Sequence, residues 1–144
     1  MTTTDDKLPR YARRVMEMAI TDAELQALMP DLDVLAQITA KGQLYEQVLE
    51  HALLGYGDRP ALGERDLEVV IDPTTGRNVR GHRPSFSTVT YRELRRRVHA
   101  LAEVWHRHPV HRVQPDDFVV ILGFAGIDFV TVDMATAYAR ATDV

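Results

Sequence analysis

At 144 residues and 16.3 kDa the chain has the length of one ordinary domain. Its 45% apolar and 26% charged residues exclude wholesale disorder and collagen-like repeats, and the absence of cysteine excludes disulfides, thiolate zinc sites and thiol nucleophiles. The net charge of -4 conceals an asymmetry: residues 77–112 hold nine arginines against two acids, an excess of +7, so the remainder stands at -11. Five of the six histidines fall in the same basic stretch.

Residues 1–57 read as a helical segment. Met1 to Lys7 lacks the apolar core of a signal peptide, and no run approaches the roughly 18 apolar residues of a membrane span. A cytoplasmic location without a membrane span is therefore expected. Tyr11, Val15 and Met18 recur at helical spacing, and Thr21-Asp-Ala-Glu24 has the form of a capping box closed downstream by Pro30. Residues 31–40 carry no clear period. Tyr45, Leu49, Ala52, Leu53 and Tyr56 then form a second helical stripe, ended by Gly55 and Gly57.

From residue 58 the pattern becomes that of strands and helices. Leu67 to Ile71 is rich in β-branched residues, and Asp72-Pro-Thr-Thr-Gly76 is a turn, which together predict a hairpin returning through Phe86 to Tyr91. A helix follows, with Leu94, Val98, Leu101, Ala102 and Trp105 on one face and Arg92, Arg95, Arg96, His99 and Glu103 on the other. The continuous apolar run Phe118 to Leu122 predicts a strand covered on both faces. Gly123-Phe-Ala-Gly126 turns into a last helix carrying Phe129, Val130, Met134, Ala137 and Tyr138 on its apolar face. The fold class is α/β: a helical N-terminal segment followed by an incomplete open sheet, whose uncovered apolar surface is expected to make the isolated chain aggregate.

Few residues offer chemistry. His106, His108 and His111 could supply imidazoles to zinc, but Arg107 and Arg112 stand beside them and no carboxylate lies between, which favours a solvated loop. The arginine face could meet phosphates. The acidic isoelectric point near 5.8 and the lack of interleaved aromatics argue instead for a solvated face or one docked on an acidic partner, and against nucleic acid. Gly123 to Gly126 lacks both the three-glycine dinucleotide spacing and the Lys-Ser/Thr of a P-loop. Asp128 and Asp133 do not share a helix face, and Ser85 and Ser87 have no nucleophile-elbow pattern. No catalytic, cofactor-binding or metal-ligating residue is assigned.

Thr88-Val-Thr-Tyr-Arg-Glu-Leu94, an amphipathic helix, then Gln114-Pro-Asp-Asp-Phe-Val-Val-Ile-Leu122 and a further helix resemble the opening of the large domain of adenylate-forming enzymes, whose first recurrent motif is a Thr-Tyr-x-Glu-Leu segment. Gly55-Tyr-Gly-Asp-Arg-Pro-Ala-Leu-Gly63, Val70-Ile-Asp-Pro-Thr-Thr-Gly-Arg77 and Phe118-Val-Val-Ile-Leu-Gly-Phe124 resemble the carboxylic acid reductases more closely; these are often labelled fatty-acid CoA ligases. The resemblance runs from about residue 8 to about 140. It implies that residues 58–144 are the start of an AMP-binding adenylation domain. For the whole enzyme it implies ATP, Mg²⁺, phosphopantetheine and NADPH, used to turn a carboxylic acid into an aldehyde through an acyl adenylate and a carrier thioester.

The family's Ser/Thr/Gly-rich phosphate loop, its late lysine and its carrier serine have no counterpart in this sequence, and Lys41 lies between Ala40 and Gly42 rather than in such a loop. Ala139-Arg-Ala141 passes to Thr142-Asp-Val144 where the family continues into a Val-Pro strand, so a truncated, inactive N-terminal fragment is expected. Tyr91 and Glu93 are then packing and capping residues, and the partner is the remainder of the enzyme if it is encoded separately. The alternatives are a fragment of a fatty acyl-CoA or acyl-AMP ligase, and a small non-catalytic interaction domain using the basic face from Arg92 to Arg97.

Overall fold

The computed structural model describes residues 9–144, so the reading of Met1 to Lys7 lies outside the described residues. Four helices come first: α1 (Arg10–Thr21), α2 (Ala23–Leu28), α3 (Leu32–Ile38) and α4 (Tyr45–Gly55). A long hairpin, β1 (Pro60–Ile71) and β2 (Asn78–Thr90), leads into α5 (Tyr91–Arg107). The chain ends with β3 (Phe118–Val119), α6 (Ile127–Ala139) and β4 (Thr142–Asp143). The α/β class holds, and no described helix is long and apolar enough to cross a membrane.

Local chemistry sets the helix boundaries, and at the first of them it corrects the expected capping box. Thr21 is the last residue of α1, its hydroxyl donating back to the carbonyls of Glu17 and Met18 at 3.2 Å. The cap of α2 is Asp22, whose carboxylate accepts from the Glu24 and Leu25 amides, because a side chain one residue nearer reaches two free donors at once. Asp31 does the same for α3 through Asp33 and Val34, giving the patternless 31–40 stretch its helix. At α4, Gln47 reaches back to the Leu44 amide at 2.9 Å. Gly55 is required by packing, since a Cβ there would run into the Val34 side chain.

The hairpin is longer than its apolar run suggests. Its register runs from Pro60 opposite Thr90 to Ile71 opposite Asn78, with irregularities after Pro60 and Arg65, and it absorbs the 81–84 stretch that shows no alternation. Gly76, at φ +66°, supplies the left-handed residue of the turn, and Asp72 closes it by accepting from the Thr74 and Thr75 amides. Ser85 and Ser87 both donate to Asp66 at 2.6 Å, which stitches the two arms together and leaves neither serine poised as a nucleophile.

The core lies where α4, α5 and α6 meet the base of the hairpin. Leu49, Leu53, Val89, Leu94, Val98, Ile127 and Ala135 are buried there, with Leu101, Ala102 and Trp105 packed against them. The expected face of α5 is therefore the observed one. On α6 the fully buried positions are instead Ile127, Thr131, Ala135 and Thr136, while Phe129, Val130 and Met134 are half-buried. Small residues let α6 approach α5 closely, and the two threonines satisfy their hydroxyls on the helix's own carbonyls at 2.6–2.7 Å.

The run Phe118 to Leu122 is not covered on both faces. It pairs in parallel with β4, Phe118 opposite Thr142 and Val119 opposite Asp143, so the segment after Ala141 forms a strand. Val119 and Ile121 turn inward, whereas Phe118, Val120 and Leu122 are 74%, 75% and 100% exposed. Successive side chains of an extended segment face opposite ways, and among the described residues nothing packs on the outer side.

Candidate functional site

The densest polar cluster joins three helices around Glu50. Its Oε1 accepts from Arg95 Nε at 2.9 Å and from Arg95 Nη2, while Oε2 accepts from His99 Nε2 at 2.9 Å and from the Tyr138 hydroxyl at 2.7 Å. Burial alone would raise this carboxyl, but the bonds from Arg95, Tyr138 and His99 outweigh it and hold the group at about 2. As an ionised carboxylate it only accepts, so His99 carries its hydrogen on Nε2. The His99 and Tyr138 rings lie 4.7 Å apart, and burial together with the Glu50 bond pushes the Tyr138 phenol up. Both oxygens of Glu50 are engaged within the protein, so the cluster ties α4, α5 and α6 together.

The arginine face is solvated, with the Arg92, Arg96 and Arg107 side chains 70%, 69% and 77% exposed, yet each arginine along it pairs with a carboxylate. Arg92 forms a bidentate pair with Asp58 at 2.9 Å, Arg95 takes Glu50, Arg96 and Arg97 share Glu93, and Arg107 takes Glu103. The acids come from the chain itself. Asp58 lies in the linker before β1, Glu50 belongs to α4, and Glu93 and Glu103 belong to α5 itself, so the exposed face is matched by acids on its own helix and on the segment just before the hairpin. The charge asymmetry between the halves of the sequence is thus partly neutralised by folding.

At the Thr90 to Leu94 motif, Thr90 caps α5 by accepting from the Glu93 amide at 3.2 Å. Tyr91 packs on Tyr56 with ring centroids 5.4 Å apart, and its amide donates to the Arg59 carbonyl at 3.1 Å. Arg92 N donates to the Gly57 carbonyl at 2.7 Å. Tyr91 is a packing residue, as expected. The Glu93 carboxylate is spent on Arg96 and Arg97, whose hydrogen bonds hold it at about 2, so the capping oxygen belongs to Thr90. This junction docks the start of α5 onto the linker that follows α4.

The Gly123 to Gly126 turn was the sequence feature nearest to a phosphate cradle. The structure seats an internal carboxylate there: Glu64 Oε1 accepts from Ile127 N at the start of α6 and lies where a Cβ on Gly126 would fall. The positive end of the helix is already neutralised, so the turn does not fit a nucleotide phosphate, and no other segment of this chain offers a glycine-rich cradle.

The histidines separate. His108 Nδ1 accepts from the Val110 and His111 amides at 3.2 and 2.8 Å and its ring lies 5.0 Å from that of His111, while His106 points elsewhere. Among the described residues no group of three or more His, Cys, Asp and Glu side chains converges as a metal site. Asp128 is exposed at the start of α6 and does not meet Asp133. Asp133 instead faces Asp143 of β4, and burial followed by the charge of that neighbour raises its carboxyl above the ordinary range. Sequence spacing gave no sign of this pair, which forms only when β4 docks. Asp133→Asn is expected to stabilise the protein at neutral pH, measured by urea unfolding. Since a raised folded value penalises the ionised form, the gain should vanish below the ordinary carboxyl range, where both variants are neutral; a variant less stable at pH 7 would contradict the reading.

This arrangement of a helical lead-in, a hairpin running straight into an amphipathic helix, and a β3-α6-β4 crossover defines the chain as part of an adenylation domain of the adenylate-forming class. Within that class it is homologous to the carboxylic acid reductases, at 38% identity over 133 residues with the protein of Segniliparus rugosus and 37% over 135 residues with that of Mycobacterium tuberculosis. These alignments cover 92% and 94% of this chain, and the chain spans 11% of the length of either relative. The solved A-PCP didomain of the Segniliparus rugosus enzyme in complex with AMP superposes with a TM-score of 0.80 at 38% identity, covering 94% of this chain and 19% of that one. Its A domain with AMP and a co-purified carboxylic acid gives 0.78 at 37% identity, covering 94% and 21%. The adenylation domain of the Mycobacterium chelonae carboxylate reductase gives 0.74 at 34%, covering 99% and 21%. No family model matches the sequence.

Proposed function

We propose that residues 58–144 are the opening of an acyl-adenylating domain, preceded by a helical segment over 1–57, and that they serve it as scaffold. The observation that carries this reading is agreement in fold and sequence, TM-scores of 0.74–0.80 at 34–38% identity, with adenylation domains of carboxylic acid reductases. The whole enzyme would activate a carboxylate with ATP and Mg²⁺, pass the acyl group to a phosphopantetheine thiol and reduce the thioester to an aldehyde with NADPH. In that scheme this chain supplies no residue to the nucleotide and acid sites of the adenylation reaction. The Glu50 and Glu93 clusters are closed within the chain, and the helix terminus that resembles a phosphate site, the start of α6, already holds Glu64. Its work is to fix the sheet and helices on which the nucleotide and acid sites, supplied by other segments, are assembled.

The test is a chimera in which this chain replaces the segment it matches in the Segniliparus rugosus enzyme. Carboxylate-dependent exchange of pyrophosphate into ATP within about tenfold of the parent is the expected result, and the 144-residue chain alone should show none. Exchange catalysed by the chain alone, or a folded chimera without exchange, would refute the scaffold role.

A further inference from the structure

One cavity carries a chemistry that the scaffold role does not use. It lies between the last turns of α5, the 112–115 loop and the end of α6, and its volume of about 460 Å³ falls in the range of small-ligand sites. His99, His106, Arg112 and Arg140 line it from three separate segments, and Glu103 is the one acid among its lining residues. Glu103 is closed by Arg107 at 2.6 Å, and His99 is engaged with Glu50. Arg140 reaches a carboxylate only at 3.7 Å, on Glu46, and neither Arg112 nor His106 has an ion-pair partner within 4.0 Å among the described residues. The contrast with α5 is direct, since Arg92, Arg95, Arg96 and Arg97 each have a carboxylate at 2.9 Å or closer.

Backbone bonds hold these cations in place. Val113 N donates to the Trp105 carbonyl at 3.3 Å, fixing the residue after Arg112 against α5, and Asp116 N donates to the Arg140 carbonyl at 2.9 Å, tying the loop to the end of α6. Arg140 itself stands at φ 54°, a left-handed conformation that glycine or asparagine adopts at less cost. Arginine also offers the forked donor geometry that matches phosphate and carboxylate oxygens.

We propose that this pocket binds a small phosphate-bearing anion, with Arg112 as the anchoring fork and Arg140 and His106 as flanking donors. The assignment is independent of the adenylation reading. It accounts for the residues around the histidine cluster by the opposite sign of ligand: a site hostile to a metal cation because of its arginines is suited to an anion.

The test titrates the full chain, at a concentration where sedimentation shows monomer, with inorganic phosphate and separately with AMP, followed by amide chemical shifts. Saturable shifts confined to Arg112, Val113, Gln114 and the Arg140 region are expected. Arg112→Ala should weaken the affinity at least tenfold, Arg112→Lys less, and Arg77→Ala on the distant hairpin not at all. Equal affinity for the two probes would assign the site to the phosphate group alone, and tighter AMP binding would assign it to a nucleotide. The proposal is overturned by shifts that do not saturate, by chloride reproducing them at equal ionic strength, or by an Arg112→Ala protein that keeps its amide spectrum and binds as tightly. Should Arg112→Ala fail to fold, Arg112→Gln with the same readout replaces it.

Discussion

Replacement of Glu50 by glutamine is expected to destabilise the fold by about 2 kcal/mol at neutral pH and to flatten its acid sensitivity. The carboxyl is held at about 2, against an ordinary value of 4.5, so its contribution is complete above pH 4.5 and is lost as the pH falls towards 2. The full displacement would correspond to roughly 3 kcal/mol, and screening at a side chain 27% exposed lowers that figure. Glutamine keeps the shape but cannot accept from Arg95, His99 and Tyr138 as an anion does, which leaves Arg95 partly buried without its counter-charge. Urea unfolding of both proteins between pH 2 and 7 measures this. Parallel stability curves would show that the cluster does not hold the three helices.

The second large effect concerns the outer face of the β3 segment. Phe118, Val120 and Leu122 lie on one side of an extended run, and Phe124 follows at 96% exposure. Covering a side chain of this kind is worth about 1.5 to 3 kcal/mol, so four together are a strong drive for association. The protein is expected to self-associate with rising concentration and to bind hydrophobic dyes, and Leu122→Gln with Phe124→Ser should raise the dissociation constant at least tenfold. Both positions are open to solvent, so the fold should survive. Sedimentation velocity decides: a wild-type chain that stays monomeric at high concentration, or a double variant with an unchanged constant, would refute the expectation.

How much of this was legible in the sequence depended on the range of the interaction involved. The apolar stripe of α5 and the Asp72 to Gly76 turn could be read because periodicity and turn chemistry act within a few residues. The helix at Leu32 escaped notice although Asp31 announced its cap, since six or seven residues are too few to display a period. For β3 both the apolar run and the lack of elements to cover its outer face were legible, whereas its pairing with β4 was not, because that partner is set by how the chain end docks. The site residues were the least legible. Glu50 meets Arg95, His99 and Tyr138 across separations of 45, 49 and 88 residues, and no local pattern marks a glutamate for that role. Arg112 and Arg140 likewise read as ordinary loop and helix-end residues until the fold brings them to one cavity.

The Glu64 contact with the first turn of α6 also bears on the order in which the chain can fold. The hairpin and α5 are neighbours in sequence, and their contacts close short loops, whereas Glu64 and Ile127 are 63 residues apart. Bringing such distant groups together costs chain entropy that is recovered only once the intervening hairpin and helix have condensed. The N-terminus of α6 therefore acquires its counter-charge late, and until then its free amides and the glycine turn before it remain open to water. The expected order of folding is from the hairpin and α5 outward, with the β3-α6-β4 crossover added last and the hairpin base acting as the clasp that completes it.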